Sequence, residues 1–134
     1  MGNFTEYGKD LLATWAFDTA AVTRPAAWFV ALHTADPGVT GATAEVLVAT
    51  DADYVRKSIT FAAPVAGTGQ CLSDSAVSWT VNGASAGYTV LWATIWDAAV
   101  AGNCIIKGQL PVQRVLVAGG VLTFNIGEVI GAIE

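Results

Sequence analysis

The sequence predicts a mainly β fold: a β-sandwich of eight or nine strands, jelly-roll-like in pattern, preceded by one N-terminal α-helix. Three observations carry that expectation. Two runs, Ala27–Pro37 and Tyr88–Trp96, are apolar on both alternating faces, as interior strands covered on two sides must be. Much of the remaining chain divides into short segments at roughly ten-residue spacing, separated by Gly, Pro, Asn or Asp. Helical spacing of large apolar residues is confined to the start. A chain of 134 residues suffices for one domain with its own core. Residues 1–17 are read as a helix or arm, and residues 26–134 as the sandwich.

At the start, Asn3 is placed as the helix cap, with Glu6 completing a capping box. Phe4, Tyr7, Leu11 and Trp15 then share one helical face. Gly8 costs such a helix about 1 kcal/mol relative to Ala. Its stability must therefore come from packing, on its own sandwich or on a neighbour. Asp18–Pro25 is a linker that Arg24-Pro25 drives into an extended path. In the first central strand Trp28, Val30 and Leu32 face one way, and Phe29 and Ala31 the other. Asp36-Pro37-Gly38 closes it, and Gly38–Ala44 is loop. Glu45–Thr50 reads as a short strand, Asp51–Asp53 as a turn, and Tyr54–Phe61 as a strand of mixed polarity.

Pro64–Gly69 is a turn, and Cys71–Thr80 a strand with Val77 and Trp79 on one side. Asn82-Gly83 opens the next turn. The second central strand, Tyr88–Trp96, sets Val90, Trp92 and Thr94 against Leu91, Ala93 and Ile95. Cys104–Leu110 begins another strand, Pro111 marks an edge or a bend, and Val112–Val117 continues beyond it. Val121–Ile126 and Glu128–Ile133 complete the set.

Composition limits what such a molecule can do. Charged residues make up 13% of the chain, about half the usual share, while hydrophobic residues make up 54%. Between Ser58 and Ile106 there is no Lys or Arg, and the only acids are Asp74 and Asp97. So uncharged a surface invites association, which predicts cover by copies of itself or by partner proteins. The net charge of −5 argues against nucleic acid as the partner. The lack of any 18-residue apolar window argues against a membrane-spanning helix. The first 17 residues lack a secretory pattern, so synthesis is expected in a reducing cytoplasm.

Catalytic and metal chemistry finds little support. The one histidine, His33, ends the first central strand and is read as a hydrogen-bonded structural side chain. Cys71 and Cys104 are too few for a disulfide framework and are read as two thiols, with a single bridge left open. Asp51-x-Asp53 offers two carboxylates to a hard cation but is read as satisfying a tight turn. No cofactor is expected. Trp28, Trp92 and Trp96 are assigned to the core, and Trp15 to a partner.

Several segments together carry a resemblance. They are Trp28-Phe29-Val30-Ala31-Leu32-His33-Thr34-Ala35-Asp36-Pro37; Tyr54-Val55-Arg56-Lys57-Ser58-Ile59-Thr60-Phe61; Asp74-Ser75-Ala76-Val77-Ser78-Trp79; and Ala93-Thr94-Ile95-Trp96-Asp97-Ala98, followed by Gly102-Asn103. In this order the chain resembles a family of small tailed-bacteriophage virion proteins of the head decoration or tail fibre type. The resemblance implies a non-enzymatic building block made in the bacterial host cytoplasm and located on the outer capsid surface or the tail. The first reading is a capsid decoration (cement) protein bridging subunits of the major capsid protein. A tail-fibre or tail-tip component that binds a host receptor is the alternative, and a carbohydrate-binding module the third. Expected partners are the major capsid protein or other virion proteins, and copies of itself. The expected interface is Phe4, Tyr7, Leu11 and Trp15 of the helix, with Ile130 and Ile133 of the last strand.

Overall fold

The computed structural model describes residues 2–133, in which nine strands and one helix follow one another. They are β1 (Gly2–Phe4), α1 (Glu6–Phe17), β2 (Trp28–His33), β3 (Lys57–Ile59), β4 (Gln70–Leu72), β5 (Val77–Thr80), β6 (Tyr88–Trp96), β7 (Cys104–Leu116), β8 (Val121–Phe124) and β9 (Ile130–Ala132). The chain is mainly β with one N-terminal helix, as the sequence predicts. Five strands form an antiparallel sheet in the order β1-β7-β6-β2-β3, so the two central strands β2 and β6 are direct neighbours. Two ribbons, β4-β9 and β5-β8, complete the strand pairing.

Layering follows from the alternation in β2. Val30 and Leu32 enter the main core with Val90 and Leu116 of the same sheet and Val77, Trp79, Leu122 and Phe124 of the β5-β8 ribbon. That packing of sheet on ribbon is sandwich-like. Trp79 is its largest fully buried side chain: its ring meets Phe124 edge-on at 5.8 Å, and its indole N–H donates to the Val55 carbonyl at 2.8 Å. Ala31 points the other way, into a smaller cluster with Trp96, Cys104 and Phe29. Both faces of β2 are thus covered.

One face assignment in β6 is corrected. Val90 pairs with Arg114 but Trp92 pairs with Gln109, so Leu110–Gln113 bulge out opposite Leu91 alone. This shift carries Val90 onto the main-core face with Ala93, while Trp96 lies on the other. Pro111 falls inside the bulge, where the ladder needs no N–H, and β7 continues through it for 13 residues. Elsewhere side chains intercept backbone groups that longer strands would use. Val55 gives its carbonyl to Trp79, and Thr60 N–H goes to Ser75 Oγ, which trims the strand expected at Tyr54–Phe61 to Lys57–Ile59. Glu45 bridges to His33 and Val46 N–H bonds to the Leu32 carbonyl, but Leu47–Asp51 then turns instead of extending.

The N-terminus is also corrected. Asn3 and Phe4 are not helical: they lie in β1, opposite Lys107 and Ile106. The cap is Thr5, whose hydroxyl oxygen accepts the Gly8 N–H at 3.2 Å. Thr5 is buried; its N–H bonds to the Ile105 carbonyl and its hydroxyl donates to that of Cys104. This docks the first turn of α1 on β7 and explains Gly8. A Cβ there would lie 2.1 Å from the Ile105 carbonyl oxygen. Gly8→Ala should therefore lower stability by about 1–3 kcal/mol despite its better helix propensity. Urea unfolding with amide exchange should show the loss centred on α1; unchanged protection there would contradict this docking.

Candidate interaction surface

Three of the four segments that carry the resemblance meet at the smaller cluster, behind β2 and β6, while Asp74–Trp79 supplies Val77 and Trp79 to the main core. Arg56, just before β3, lays its guanidinium 3.6 Å from the centre of the Trp96 ring. Its Nε and Nη2 donate to the two Glu45 carboxylate oxygens at 2.8 and 2.7 Å. Its Nη1 reaches the carbonyls of Ala98 and Ala101 at 3.2 and 2.7 Å. Those carbonyls belong to the β6-β7 hairpin, which the Asp97 carboxylate closes by accepting the Asn103 N–H at 2.7 Å. Gly102, at φ +72°, is required there, since a Cβ would lie 2.4 Å from that carboxylate. Tyr54 donates to Glu45 and accepts the Leu32 N–H at 2.9 Å. Burial pushes the Tyr54 phenol up and works to raise Glu45 as well. The bonds and charge of Arg56 outweigh burial at Glu45 and hold its carboxyl below the usual range. Arg56 thereby fastens a loop, a strand and a hairpin together.

The other polar residues singled out in the sequence are equally engaged. Asp51 is buried and accepts from Asp53 N–H, Asn82 N–H and the Tyr88 hydroxyl, while Asp53 accepts from the Asn82 amide. The pair ties two turns together. No group of three or more metal-binding side chains gathers among the described residues. Cys71 is half-buried and Cys104 buried; both are free thiols, and burial pushes Cys104 up to about 12. His33 is buried between Thr43 and Thr94.

What remains for interaction is apolar surface. Among the described residues sixteen large apolar side chains are exposed, in a chain with only six basic and eleven acidic residues. The most exposed of them is Phe17, at 89%, and Trp15, at 70%, stands two residues before it on α1. Two residues are about 200° apart on a helix, so the end of α1 presents an aromatic ring on each of two sides. Asp18 follows and no basic residue sits in the last turn, so nothing offsets the negative end of the helix dipole. Tyr7 is marginally exposed and Leu11 half-buried. Ile130 and Ile133 are exposed on and beside β9. Phe4 of β1 and Ala132 of β9 border one open recess of about 510 Å³ with Lys9 and Lys107. Trp15 lies roughly 15 Å along the helix from Thr5. Phe4 thus borders the recess near the start of α1, and Trp15 stands at the other end of the helix. Phe17 escaped the sequence reading because it falls off the stripe that Tyr7, Leu11 and Trp15 define.

An apolar cleft of about 320 Å³ opens between β7 and β9, lined by Ile106, Leu110, Phe124 and Val129 with Gln109 and Glu128. It lacks the convergent titratable groups of a catalytic pocket. No helix of the described residues is long and apolar enough to cross a membrane.

A family model described as Podophage GP4 fiber I protein gp80 matches residues 3–132. The chain belongs to that family. The match runs from β1 through β9, so it takes in the Arg56 cluster, α1 and the exposed patches together. A phage fibre protein is a structural component of the virion. No curated protein matches the chain.

Proposed function

We propose that this chain is a non-enzymatic subunit of a podophage fibre that packs against copies of itself and against neighbouring virion proteins through its exposed apolar side chains. The observation that carries this reading is the aromatic end of α1, where Trp15 and Phe17 stand in solvent at the far end of a helix whose first turn is docked on β7. Burying a large apolar side chain contributes about 1.5–3 kcal/mol before association costs. Several such side chains per contact are needed, and the surface supplies them.

Two refinements of the reading differ in number and place. As a fibre component, the chain occurs in few copies on the tail, and free protein that carries the receptor-binding site blocks infection. As a decoration protein bridging major capsid subunits, it occurs in hundreds of copies on the head. The fibre reading is favoured because the family description names a fibre. Quantitative mass spectrometry of purified virions, with antibody labelling in the microscope, separates them. A low copy number with label on the tail supports the fibre. Label spread over the head overturns it in favour of the shell.

A further inference from the structure

His33 is fully buried, and its two ring nitrogens face groups of different kinds. Nδ1 lies 2.8 Å from the Thr43 carbonyl oxygen, which can only accept, so Nδ1 carries the hydrogen. Nε2 lies 2.8 Å from the Thr94 hydroxyl, whose oxygen already accepts the Trp96 indole N–H at 2.7 Å. A hydroxyl oxygen can accept twice, so Thr94 can donate to Nε2 or accept from it; burial of the ring favours the neutral imidazole, with Thr94 donating to Nε2 and the ring hydrogen on Nδ1.

We propose that His33 is a proton-operated latch, whose protonation at Nε2 releases residues 34–45 and with them the brace on the start of α1. A proton on Nε2 would confront the Thr94 hydrogen, which would have to turn away toward the Cys104 thiol. The resulting imidazolium would remain buried among groups already committed. Glu45 favours it, but its carboxylate is held by Arg56 and Tyr54, and the Arg56 cation opposes it. Cys104 on β7 is a neutral thiol, and Lys107, over the neighbouring Trp92 ring, is bound to Asp36. Burial accordingly lowers the proton affinity of the ring, against the Thr43 carbonyl and Glu45 and with Arg56. Water is the remaining way to solvate the charge. β2 and β6 wall the ring on the sheet side; the cover opposite is the strandless segment that contains Thr43.

That segment also braces the start of α1, which docks on β7. Glu6 N–H bonds to the Val39 carbonyl at 3.0 Å, and Gly41, at φ +78°, fits against Cys104 and Thr5. The sign follows from linkage. With the segment open, His33 regains its ordinary value near 6.5. With it closed, the value is lower, so the closed state is fully favoured above about pH 6.5 and loses ground as pH falls below that. Within that window the opening constant rises by up to about tenfold per pH unit, one proton being taken up on opening. The latch does not depend on what α1 touches in a virion.

The test is amide exchange of the full chain by NMR, from about pH 8 to about pH 5, with rates divided by their intrinsic base-catalysed values. Amides of Thr34, Gly41, Thr43, Val46, Glu6 and Gly8 are expected to open progressively more below about pH 6.5, by up to about tenfold per pH unit until the closed-state ring itself titrates, while the β2-β6 ladder holds. His33→Gln should flatten that profile. An identical profile in His33→Gln, or pH-independent protection of these amides in the parent chain, overturns the proposal. Should the variant fail to fold, the parent His33 ring resonance decides. Titration of the ring together with opening supports the latch, and titration with flat protection refutes it.

Discussion

Arg56→Met should lower the unfolding free energy by about 3–5 kcal/mol, the usual cost of removing one partner from a buried ion pair. The side chains of Arg56 and Glu45 are only 9% and 18% exposed, and their two N–H···O bonds are parallel. Deleting the guanidinium strands the Glu45 carboxylate, uncovers the Trp96 ring and leaves the Ala98 and Ala101 carbonyls without their donor. Arg56→Lys should recover little, because an ammonium cannot bind both carboxylate oxygens side by side and reach the hairpin too. Arg56→Met with Glu45→Leu should recover much of the loss, since neither charge is then left unpaired. Urea unfolding with an unchanged m-value measures all three. A loss under about 1 kcal/mol for Arg56→Met would place the pair among ordinary surface bridges and refute its role as a fastening.

Trp79→Ala should cost a comparable amount, about 3–5 kcal/mol, through the cavity left between the five-stranded sheet and the β5-β8 ribbon. Trp79 is the largest fully buried side chain, and it spans that gap to Phe124. Trp79→Phe separates packing from hydrogen bonding. It keeps most of the ring but orphans the Val55 carbonyl, which should cost about 1–3 kcal/mol. Equal losses for the two variants in urea would show that the hydrogen bond, and not the ring volume, joins the layers.

The readability of the sequence differs sharply between elements, for physical reasons. β2 could be read because its two faces pack against two real clusters, so every residue from Val30 to Leu32 had to be apolar. Phe4 misled because its spacing from Tyr7 and Leu11 is helical, while its actual partner, Ile106, is remote in sequence. Local periodicity cannot register such a pairing. Regular alternation puts Val90 with Trp92 because it assumes an unbroken ladder; Pro111, on the partner strand, is the one sequence sign of the bulge. Glu45 was invisible as the counterion of Arg56, since a lone acid at the end of a loop carries no pattern. At the candidate surface, shortage of charge and the exposure of Trp15 were readable from composition and stripe, whereas Phe17 required knowing where the helix stops docking.

Association through the aromatic end of α1 is best tested by sedimentation of the full chain over a wide concentration range, beside Trp15→Ser and Phe17→Ser. The parent chain should gain mass above its 13.8 kDa as concentration rises, and the two variants should stay near that mass with unfolding midpoints unchanged. A parent chain that remains at 13.8 kDa throughout would contradict a subunit built to pack through exposed apolar side chains.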